Sequence, residues 1–211
     1  MPSLDLEWQL QHQGVKLVAG IDEAGRGPLA GPVVAAAVIL PPDLSGLEPW
    51  LRAVDDSKRL SPLQREKAAK FIQRHAVAVG VGQAGPEEID GTGIVPATFK
   101  AMLQAVAGLT TPPEHLLLDF IPLKECSLPF LPVIKGDTLS YSIAAASIIA
   151  KVTRDRLMEQ ADLLYPGYSF AQNKGYPTAQ HLAQLQSLGP CSIHRRSFAP
   201  VQQAILSREG F

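Results

Sequence analysis

The chain has 211 residues, of which 46% are hydrophobic and 18% are charged, and its formal net charge is −1. This composition suits one domain with a sizeable core and excludes both a disordered chain and a globally basic nucleic-acid binder. The apolar runs fall short of the about 20 residues that cross a membrane, two cysteines are too few for a disulfide framework, and no secretory signal pattern is visible, so we expect a cytoplasmic protein without membrane association.

Apolar runs and helix signals alternate along the chain. Strands are predicted at residues 17–21, 32–40, 77–82, 115–119 and 131–135. Helices are predicted at residues 62–75, in parts over 86–107, at 142–160, and as one or two short helices after Pro177. The first of these helices has a capping serine, Ser61, and a proline at its first position. The alternation predicts an α/β layered domain over residues 1–165, followed by a helical C-terminal portion over residues 166–211.

Charge is unevenly distributed in the sequence. Residues 51–75 carry seven Lys or Arg against three acids, and residues 171–211 carry four against one. Between them, residues 76–132 carry two Lys against six acids. A local basic surface can bind phosphates, although an ordinary solvated face explains these counts equally well.

Carboxylates follow several of the predicted strands. Asp22 and Glu23 come at the end of the first strand, Asp119 ends the fourth, and Asp137 lies in a turn after the fifth. Ligands bind outside the carboxyl ends of strands in open α/β sheets, so these acids can converge. Clustered carboxylates repel one another unless a cation is present, and their hard oxygen atoms favour Mg²⁺ or Mn²⁺. Taken singly, Asp119 could instead cap a turn, and Asp137 could cap the helix that begins near Ser140.

A glycine-rich turn follows the first two acids. Gly25 and Gly27 allow the backbone to approach a ligand closely, and Arg26 carries a charge suited to phosphate. A dinucleotide-binding turn is the rival interpretation. Three features oppose it: Pro28 interrupts the turn, two carboxylates precede it, and the strand-like run at residues 32–40 follows where a helix is needed.

Residues 22–28 (DEAGRGP) resemble the signature of type 2 ribonucleases H, in particular the ribonuclease HII family. Further similar stretches follow in the same order, at residues 56–61, 116–119, 135–137, 143–155, 174–176 and 194–198. The resemblance extends over nearly the whole chain. It implies a ribonuclease H-like fold with a mixed central β-sheet flanked by helices.

The resemblance also implies an activity. The protein is expected to hydrolyse the RNA strand of RNA–DNA hybrids and to incise 5′ of ribonucleotides embedded in duplex DNA, leaving 3′-hydroxyl and 5′-phosphate ends. Two metal ions, Mn²⁺ or Mg²⁺, are implied as cofactors. The implied metal-binding and catalytic residues are Asp22, Glu23, Asp119 and Asp137. Nucleic acid is the expected partner, and the protein is expected to be a monomer.

Recognition of the substrate is implied for two segments. Gly25, Arg26 and Gly27 are expected to contact the 2′-hydroxyl and the backbone at the scissile ribonucleotide, because the 2′-hydroxyl distinguishes RNA from DNA. Tyr176 is expected to pack on the sugar of the following deoxynucleotide, since its ring fits poorly against a sugar with an extra hydroxyl. Phe120, Asn173 and Pro177 depart from the residues common in the family at these places.

Further substrate-binding candidates are Ser57, Lys58, Ser147 and Lys151. The first two could hold a phosphate or form a turn with a solvated lysine. Lys151, which shares a helix face with Ser147, could contact the DNA strand or pair with Asp155. Residues 194–196 (HRR) could touch the nucleic-acid backbone or tie the tail to the domain through salt bridges.

The sequence disfavours two other functions. Ribonuclease HIII carries a substrate-binding domain before its catalytic core, whereas 21 residues precede Asp22 here, and Tyr176 favours ribonuclease HII. A non-catalytic hybrid-binding module predicts the loss of one or more acids, and all four are present.

Overall fold

The computed structural model describes residues 1–119, 123 and 126–209, so Phe120 lies outside the described residues. Within them, the centre of the protein is a mixed sheet with the strand order β3-β2-β1-β4-β5. Its strands are β1 (Val18–Ala24), β2 (Val33–Ile39), β3 (Ala78–Ala84), β4 (His115–Asp119) and β5 (Phe130–Val133). β1, β2 and β3 pair antiparallel, whereas β4 is parallel to both β1 and β5. The predicted α/β fold with a mixed sheet is confirmed.

Helices cover the sheet and form the end of the chain. They are α1 (Asp5–His12), α2 (Pro62–His75), α3 (Pro86–Thr92), α4 (Ile94–Ala107), α5 (Gly136–Leu139), α6 (Tyr141–Leu164), α7 (Phe170–Asn173), α8 (Ala179–Leu188) and α9 (Ala199–Glu209), with a short 3-10 helix at Leu51–Ala53. The predicted start of α2 is confirmed, because Ser61 and Gln64 form a capping box there. Gly93, with φ of 89°, separates α3 from α4, in agreement with the expectation that residues 86–107 are helical only in parts. The sequence patterns did not predict α1, α5 or α7.

The first strand is longer than predicted. The apolar run ends at Ile21, but β1 continues to Ala24 because β2 supplies partners for the polar residues, pairing Ala36 with Asp22 and Ala35 with Glu23. The two acids therefore lie within a strand. Successive side chains of a strand point to opposite faces, so the two carboxylates leave the sheet in different directions.

The two faces of the sheet carry separate hydrophobic cores. On one face, α6 and α2 pack on β1 and β2, and on the other α4 packs on β1, β2 and β3. Helix α6 approaches β1 so closely that a Cβ on Gly20 would lie 2.1 Å from the backbone carbon of Ser142. The start of α6 is therefore held directly against the strand that carries Asp22. No helix among the described residues has the length and apolar character needed to cross a membrane.

The helical C-terminal portion is attached at the loop between β1 and β2. Leu29 packs in a small core with residues of α8 and α9 and donates its N–H to the carbonyl of Gly175 over 2.8 Å. Ala30 forms an isolated β-bridge with His194. The segments after α6 are thereby placed beside the turn that follows the first two acids.

Candidate active site

Asp22 and Asp119 are brought together by the register of two parallel strands. Ile21 pairs with Leu118, so the two aspartates come next on neighbouring strands. Ile21 and Leu118 both point into the core on the α4 face, and alternation therefore directs both aspartates to the α6 face. The convergence expected at the strand ends is present in the structure.

Asp137 reaches the same place on the short helix α5. The backbone turns into α5 at Lys135, which has a left-handed conformation with φ of 56°. The N–H of Gly136 then donates to Asp119 Oδ1 over 2.8 Å and fixes the start of α5 beside Asp119. Carboxylate oxygens of Asp22, Asp119 and Asp137 all lie within 4.8 Å of one another. We call these three residues the carboxylate cluster.

A buried carboxylate from α1 holds the segment behind Asp137. Glu7, 4% exposed, accepts hydrogen bonds from Ser140 Oγ at 2.7 Å, from Ser142 Oγ at 2.6 Å and from the N–H of Ser142 at 2.9 Å. Ser140 in turn caps α6 by accepting from the N–H of Ile143. The alternative in which Asp137 caps this helix is therefore wrong, because Ser140 takes that position and Asp137 points into the cluster.

Mutual repulsion and burial characterise the electrostatics of the cluster. Burial, with the charges of Glu23, Asp119 and Asp137, raises the pKa of the Asp22 carboxyl well above its usual range. Burial likewise raises the pKa of Asp119, and the charge of Asp137 adds to this effect against the hydrogen bond from Gly136. Ionised carboxylates at this place thus call for a cation.

Glu23 lies beside the cluster rather than within it. Its carboxylate is 3.4 Å from the guanidinium of Arg26, and its own N–H donates to Asp22 Oδ1 over 2.7 Å. Burial raises the pKa of Glu23, while the charge of Arg26 opposes the rise. The charge of Asp119 also raises the pKa of Glu23, so Glu23 interacts electrostatically with the cluster.

Lys58 supplies a cation to the cluster in this structure. Its ammonium is 3.2 Å from Asp137 Oδ2, although the lysine side chain is largely exposed. Burial acts to lower the pKa of Lys58, but the hydrogen bond and charge of Asp137 and the charge of Asp22 outweigh it, so the pKa is raised. A flexible ammonium on one oxygen of a three-acid group leaves most of the carboxylate charge unbalanced.

The donor set of the cluster fits a divalent metal ion. It consists of carboxylate oxygens only, and two of its three residues are buried. The oxygens are close enough to one another to bind the same ion. Mg²⁺ and Mn²⁺ prefer such hard oxygen donors. The residues present would hold the ion without any nitrogen or sulfur ligand.

The turn after Glu23 is held from behind by two buried arginines. Arg195 donates to the carbonyls of Gly25 at 2.6 Å, Arg26 at 2.9 Å and Gly31 at 3.0 Å. Arg154 donates to the carbonyls of Ala30 at 3.1 Å and of Pro32 at 2.9 Å. We call residues 25–27 the Gly25 loop.

The arginines fix which way the Gly25 loop presents its polar groups. Arg195 occupies the carbonyls of Gly25 and Arg26, and within the part of the chain that the structure describes the N–H groups of Arg26 and Gly27 have no acceptor. Gly25 has φ of 99°, and a Cβ there would lie 2.0 Å from Arg154 Nε, so the position requires glycine. The loop therefore offers N–H donors on its outer side.

Tyr176 faces the Gly25 loop across the site. Its Cε1 would be 3.9 Å from a Cβ placed on Gly27, and its ring centroid is 5.8 Å from the guanidinium carbon of Arg154 and 6.0 Å from Lys151 Nζ. Arg154 also donates to the carbonyl of Lys174 over 2.9 Å, which joins the tyrosine segment to the loop. Asn173 holds this segment by accepting from the N–H of Gly175 over 2.7 Å.

The remaining sequence candidates make internal contacts. Ser147 Oγ donates to Ser57 Oγ over 2.7 Å, and both residues are buried. Lys151 forms a 2.7 Å ion pair with Asp155, and burial lowers its pKa. The structure thus contains the Asp155 pairing of Lys151, while contacts of these residues with nucleic acid stay predictions.

Some residues that build the site were missed by the sequence reasoning. Residues 194–196 were expected to touch nucleic acid or form salt bridges, but Arg195 is buried and bonded to backbone carbonyls, so neither alternative describes it. Arg154 was detectable, because it lies four residues from both Ala150 and Met158 on the buried side of α6. Glu7 carries the same signal, because it lies three residues from both Leu4 and Leu10 on the buried side of α1, whereas no periodicity marks Arg195.

Comparisons with known proteins identify the family and the fold. The family model described as Ribonuclease HII matches residues 19–201. A curated Ribonuclease HII from Geobacillus thermodenitrificans is 54% identical over 199 residues, covering 94% of this chain and 74% of that protein. The crystal structure of ribonuclease H2 from Pyrococcus horikoshii OT3 superposes with a TM-score of 0.76 at 26% identity, covering 92% of this chain and all of that one. A structure described as Bst-RNase HIII in complex with Mn²⁺ has a TM-score of 0.70 at 20% identity, covers 93% of this chain and 71% of that one, and shows the fold alone.

Asp119→Asn tests the charge of the cluster. The amide oxygen can still accept from Gly136, so we expect the metal-free variant to unfold a few degrees higher than the wild type, as relief of about 1 kcal/mol of repulsion requires. Mn²⁺ should raise the melting temperature of the wild type but much less that of the variant, because binding to the folded state stabilises it. Thermal unfolding in EDTA and in Mn²⁺ measures both effects, with exposed Asp43→Asn as the control. An equal Mn²⁺ effect in all three proteins contradicts a metal site at the cluster.

Arg195→Lys tests the support of the Gly25 loop. One ammonium cannot replace three guanidinium hydrogen bonds to buried carbonyls, so we expect the free energy of unfolding to fall by about 3 kcal/mol. The neighbouring Arg196→Lys is the matched control, because Arg196 is exposed and bonds Asp90 only through its backbone N–H. Urea denaturation followed by circular dichroism measures the difference, and similar stabilities for the two variants would show that Arg195 does not hold the loop.

Proposed function

The chain belongs to the ribonuclease HII family, the metal-dependent endoribonucleases that act on RNA–DNA hybrids, and on that premise we propose that it incises duplex DNA on the 5′ side of an embedded ribonucleotide. The products carry 3′-hydroxyl and 5′-phosphate ends. The observation that supports this specificity best is the opposition of the Gly25 loop and Tyr176 beside the carboxylate cluster.

The carboxylate cluster and Glu23 are the proposed metal ligands. Two ions of Mg²⁺ or Mn²⁺ held there would lower the pKa of an attacking water and stabilise the leaving oxygen. Asp22, whose pKa is raised by burial and by the charges of Glu23, Asp119 and Asp137, has the greatest need of a cation. With ions bound there, Lys58 would be displaced from Asp137 and would be free to bind a backbone phosphate.

The Gly25 loop recognises the ribonucleotide in this proposal. Its outward N–H groups donate to the 2′-hydroxyl and to the adjacent phosphate, and Arg26, partly exposed, adds a charge-assisted contact. Deoxyribose lacks the hydroxyl, so a DNA strand leaves the N–H group that meets the 2′ position without an acceptor. A donor that the bound strand buries without supplying an acceptor weakens binding by about 1–3 kcal/mol, and this disfavours DNA at this position.

Tyr176 recognises the nucleotide on the 3′ side. Tyr176 is 40% exposed, so its ring is accessible to a sugar of the substrate. A 2′-hydroxyl on that sugar would clash with the ring. A ribonucleotide at the loop and a deoxynucleotide at the tyrosine satisfy both elements. The junction between RNA and DNA is thus the preferred substrate.

A groove of about 640 Å³ continues from Tyr176 between α2, α6 and α7. Its lining includes three cations, Arg65, Lys151 and Lys174, and three acids, Glu66, Asp155 and Glu159. We assign this groove to the nucleic-acid backbone, with Lys151 as a phosphate contact and with Ser57 and Ser147 holding the neighbouring segment against α6. In this assignment residues 166–211, the helical C-terminal portion, form one wall of the substrate groove, and the protein acts as a monomer.

Cleavage of defined duplexes tests the proposal. Duplex DNA with one ribonucleotide should be cut once, on the 5′ side of that residue, in the presence of Mg²⁺ or Mn²⁺ and not in EDTA. The upstream product should be extended by a DNA polymerase, because it ends in a 3′-hydroxyl. An all-DNA duplex is the substrate control, and Asp119→Asn should lower the rate on the order of 100-fold or more. No cleavage with either metal, or cleavage on the 3′ side, would overturn the proposal.

A further inference from the structure

Two buried histidines and a half-buried cysteine form a chain of polar contacts in the C-terminal portion, outside the carboxylate cluster. Cys191 Sγ is 3.1 Å from His194 Nδ1, His194 Nε2 is 3.1 Å from His181 Nε2, and His181 Nδ1 is 2.9 Å from the carbonyl oxygen of Tyr176. We call Cys191, His194 and His181 the histidine relay. The rings of Tyr168 and Phe170 pack around it, with centroids 5.0 Å from His194 and 5.5 Å from His181.

The carbonyl at one end fixes every proton in the relay. A carbonyl oxygen only accepts, so His181 carries its proton on Nδ1 and donates to Tyr176. A neutral imidazole then has a lone pair on Nε2, so His194 must donate from its own Nε2. His194 Nδ1 is left as an acceptor, and it receives the N–H of Cys191 at 3.0 Å and the thiol at 3.1 Å. All four groups are satisfied with one assignment of tautomers.

Burial keeps the relay in this neutral form. His181 and His194 are at most 1% exposed, and burial lowers the pKa of both. For His194, burial and the neighbouring His181 lower the pKa to about 4. Protonation of His181 would set two N–H groups against each other across the 3.1 Å contact with His194, and protonation of His194 would set its Nδ1–H against the N–H of Cys191.

The relay acts on the backbone that carries the Tyr176 ring. Lys174 and Gly175 have left-handed backbones, with φ of 52° and 82°, so the turn before the tyrosine is one that a lysine rarely adopts. The Tyr176 carbonyl accepts from the N–H of Thr178 at 2.8 Å as well as from His181. Fixing this carbonyl fixes the direction in which the ring leaves the chain toward Gly27.

We propose that His181 and His194 are positioning residues that hold Tyr176 opposite the Gly25 loop and so set the preference for an RNA–DNA junction. The inference rests on the proposed function of Tyr176. It predicts that breaking the bond to the Tyr176 carbonyl lowers the preference for a single embedded ribonucleotide over a uniform RNA–DNA hybrid.

Two substitutions at one position separate this role from simple packing. The amide of His181→Asn can lie near the position of Nδ1 and keep the donor to Tyr176, whereas that of His181→Gln lies near the position of Nε2 and loses it. The readout is the ratio of kcat/KM on a single-ribonucleotide duplex to kcat/KM on a uniform hybrid, which does not depend on how much of a variant is folded. Tyr176→Ala gives the size of the full loss, and exposed His12→Asn is the control.

We expect His181→Gln to lower the ratio by about tenfold, toward that of Tyr176→Ala, since a displacement of about 1 Å can cost on the order of 100-fold in rate. His181→Asn should stay within about threefold of the wild type, a difference of under 1 kcal/mol. Equal ratios in His181→Gln and the wild type would overturn the proposal, and so would equal losses in the two variants at this position.

The tautomers provide a test that does not depend on activity. Nitrogen-15 NMR of the wild type at pH 7 should show two neutral imidazoles, His181 protonated on Nδ1 and His194 on Nε2. The opposite tautomer at His181, or a cationic ring at either residue, would overturn the relay. A wild-type protein with these tautomers that fails to cut single-ribonucleotide duplexes would refute the proposed function instead, so the two failures are distinguishable.

Discussion

The repulsion among three carboxylates is the constraint on which the rest of the site depends. Asp22 and Asp119 are forced together by the pairing of Ile21 with Leu118, and Asp137 is brought to them by the bond from Gly136 to Asp119. Lys58 partly balances their charge through its ion pair with Asp137, and in our proposal a divalent ion displaces it. Among the residues that the structure describes, no other cationic side chain forms an ion pair with these oxygens. The arrangement of the acids is therefore one that a bound metal ion would stabilise.

Positive charge is used differently behind the site. Arg154 and Arg195 are fully buried and bond backbone carbonyls rather than acids. Burial, together with the charge of Arg154, lowers the pKa of Arg195 to about 9, so it remains a cation at neutral pH. Each guanidinium occupies several carbonyls at once, and this leaves the N–H side of the Gly25 loop facing outward. Arg154 also donates to the carbonyl of Lys174 and so connects the segment of Tyr176 to the segment that follows the Gly25 loop, the two elements that we propose recognise the substrate.

The parts of this structure that follow from local patterns could be predicted from the sequence. The presence and order of the strands, the capped start of α2 and the interruption at Gly93 each leave a short-range signal. The separation of Asp22 from Glu23 could not be predicted, because it depends on how far β2 extends the pairing of β1. Buried polar contacts over long separations, such as Glu7 with Ser142 or Arg195 with Gly25, leave no pattern in one sequence. The histidine relay belongs to this second class, since each of its members resembles an ordinary loop or helix residue.

The most direct test of the account is a crystal structure of the protein soaked in Mn²⁺, examined for anomalous scattering. Metal should lie within bonding distance of carboxylate oxygens of Asp22, Asp119 and Asp137, with the Lys58 ammonium withdrawn from Asp137. Metal bound elsewhere, or the cluster free of metal with the Lys58 contact intact, would contradict the claim that this fold assembles its acids to hold divalent ions.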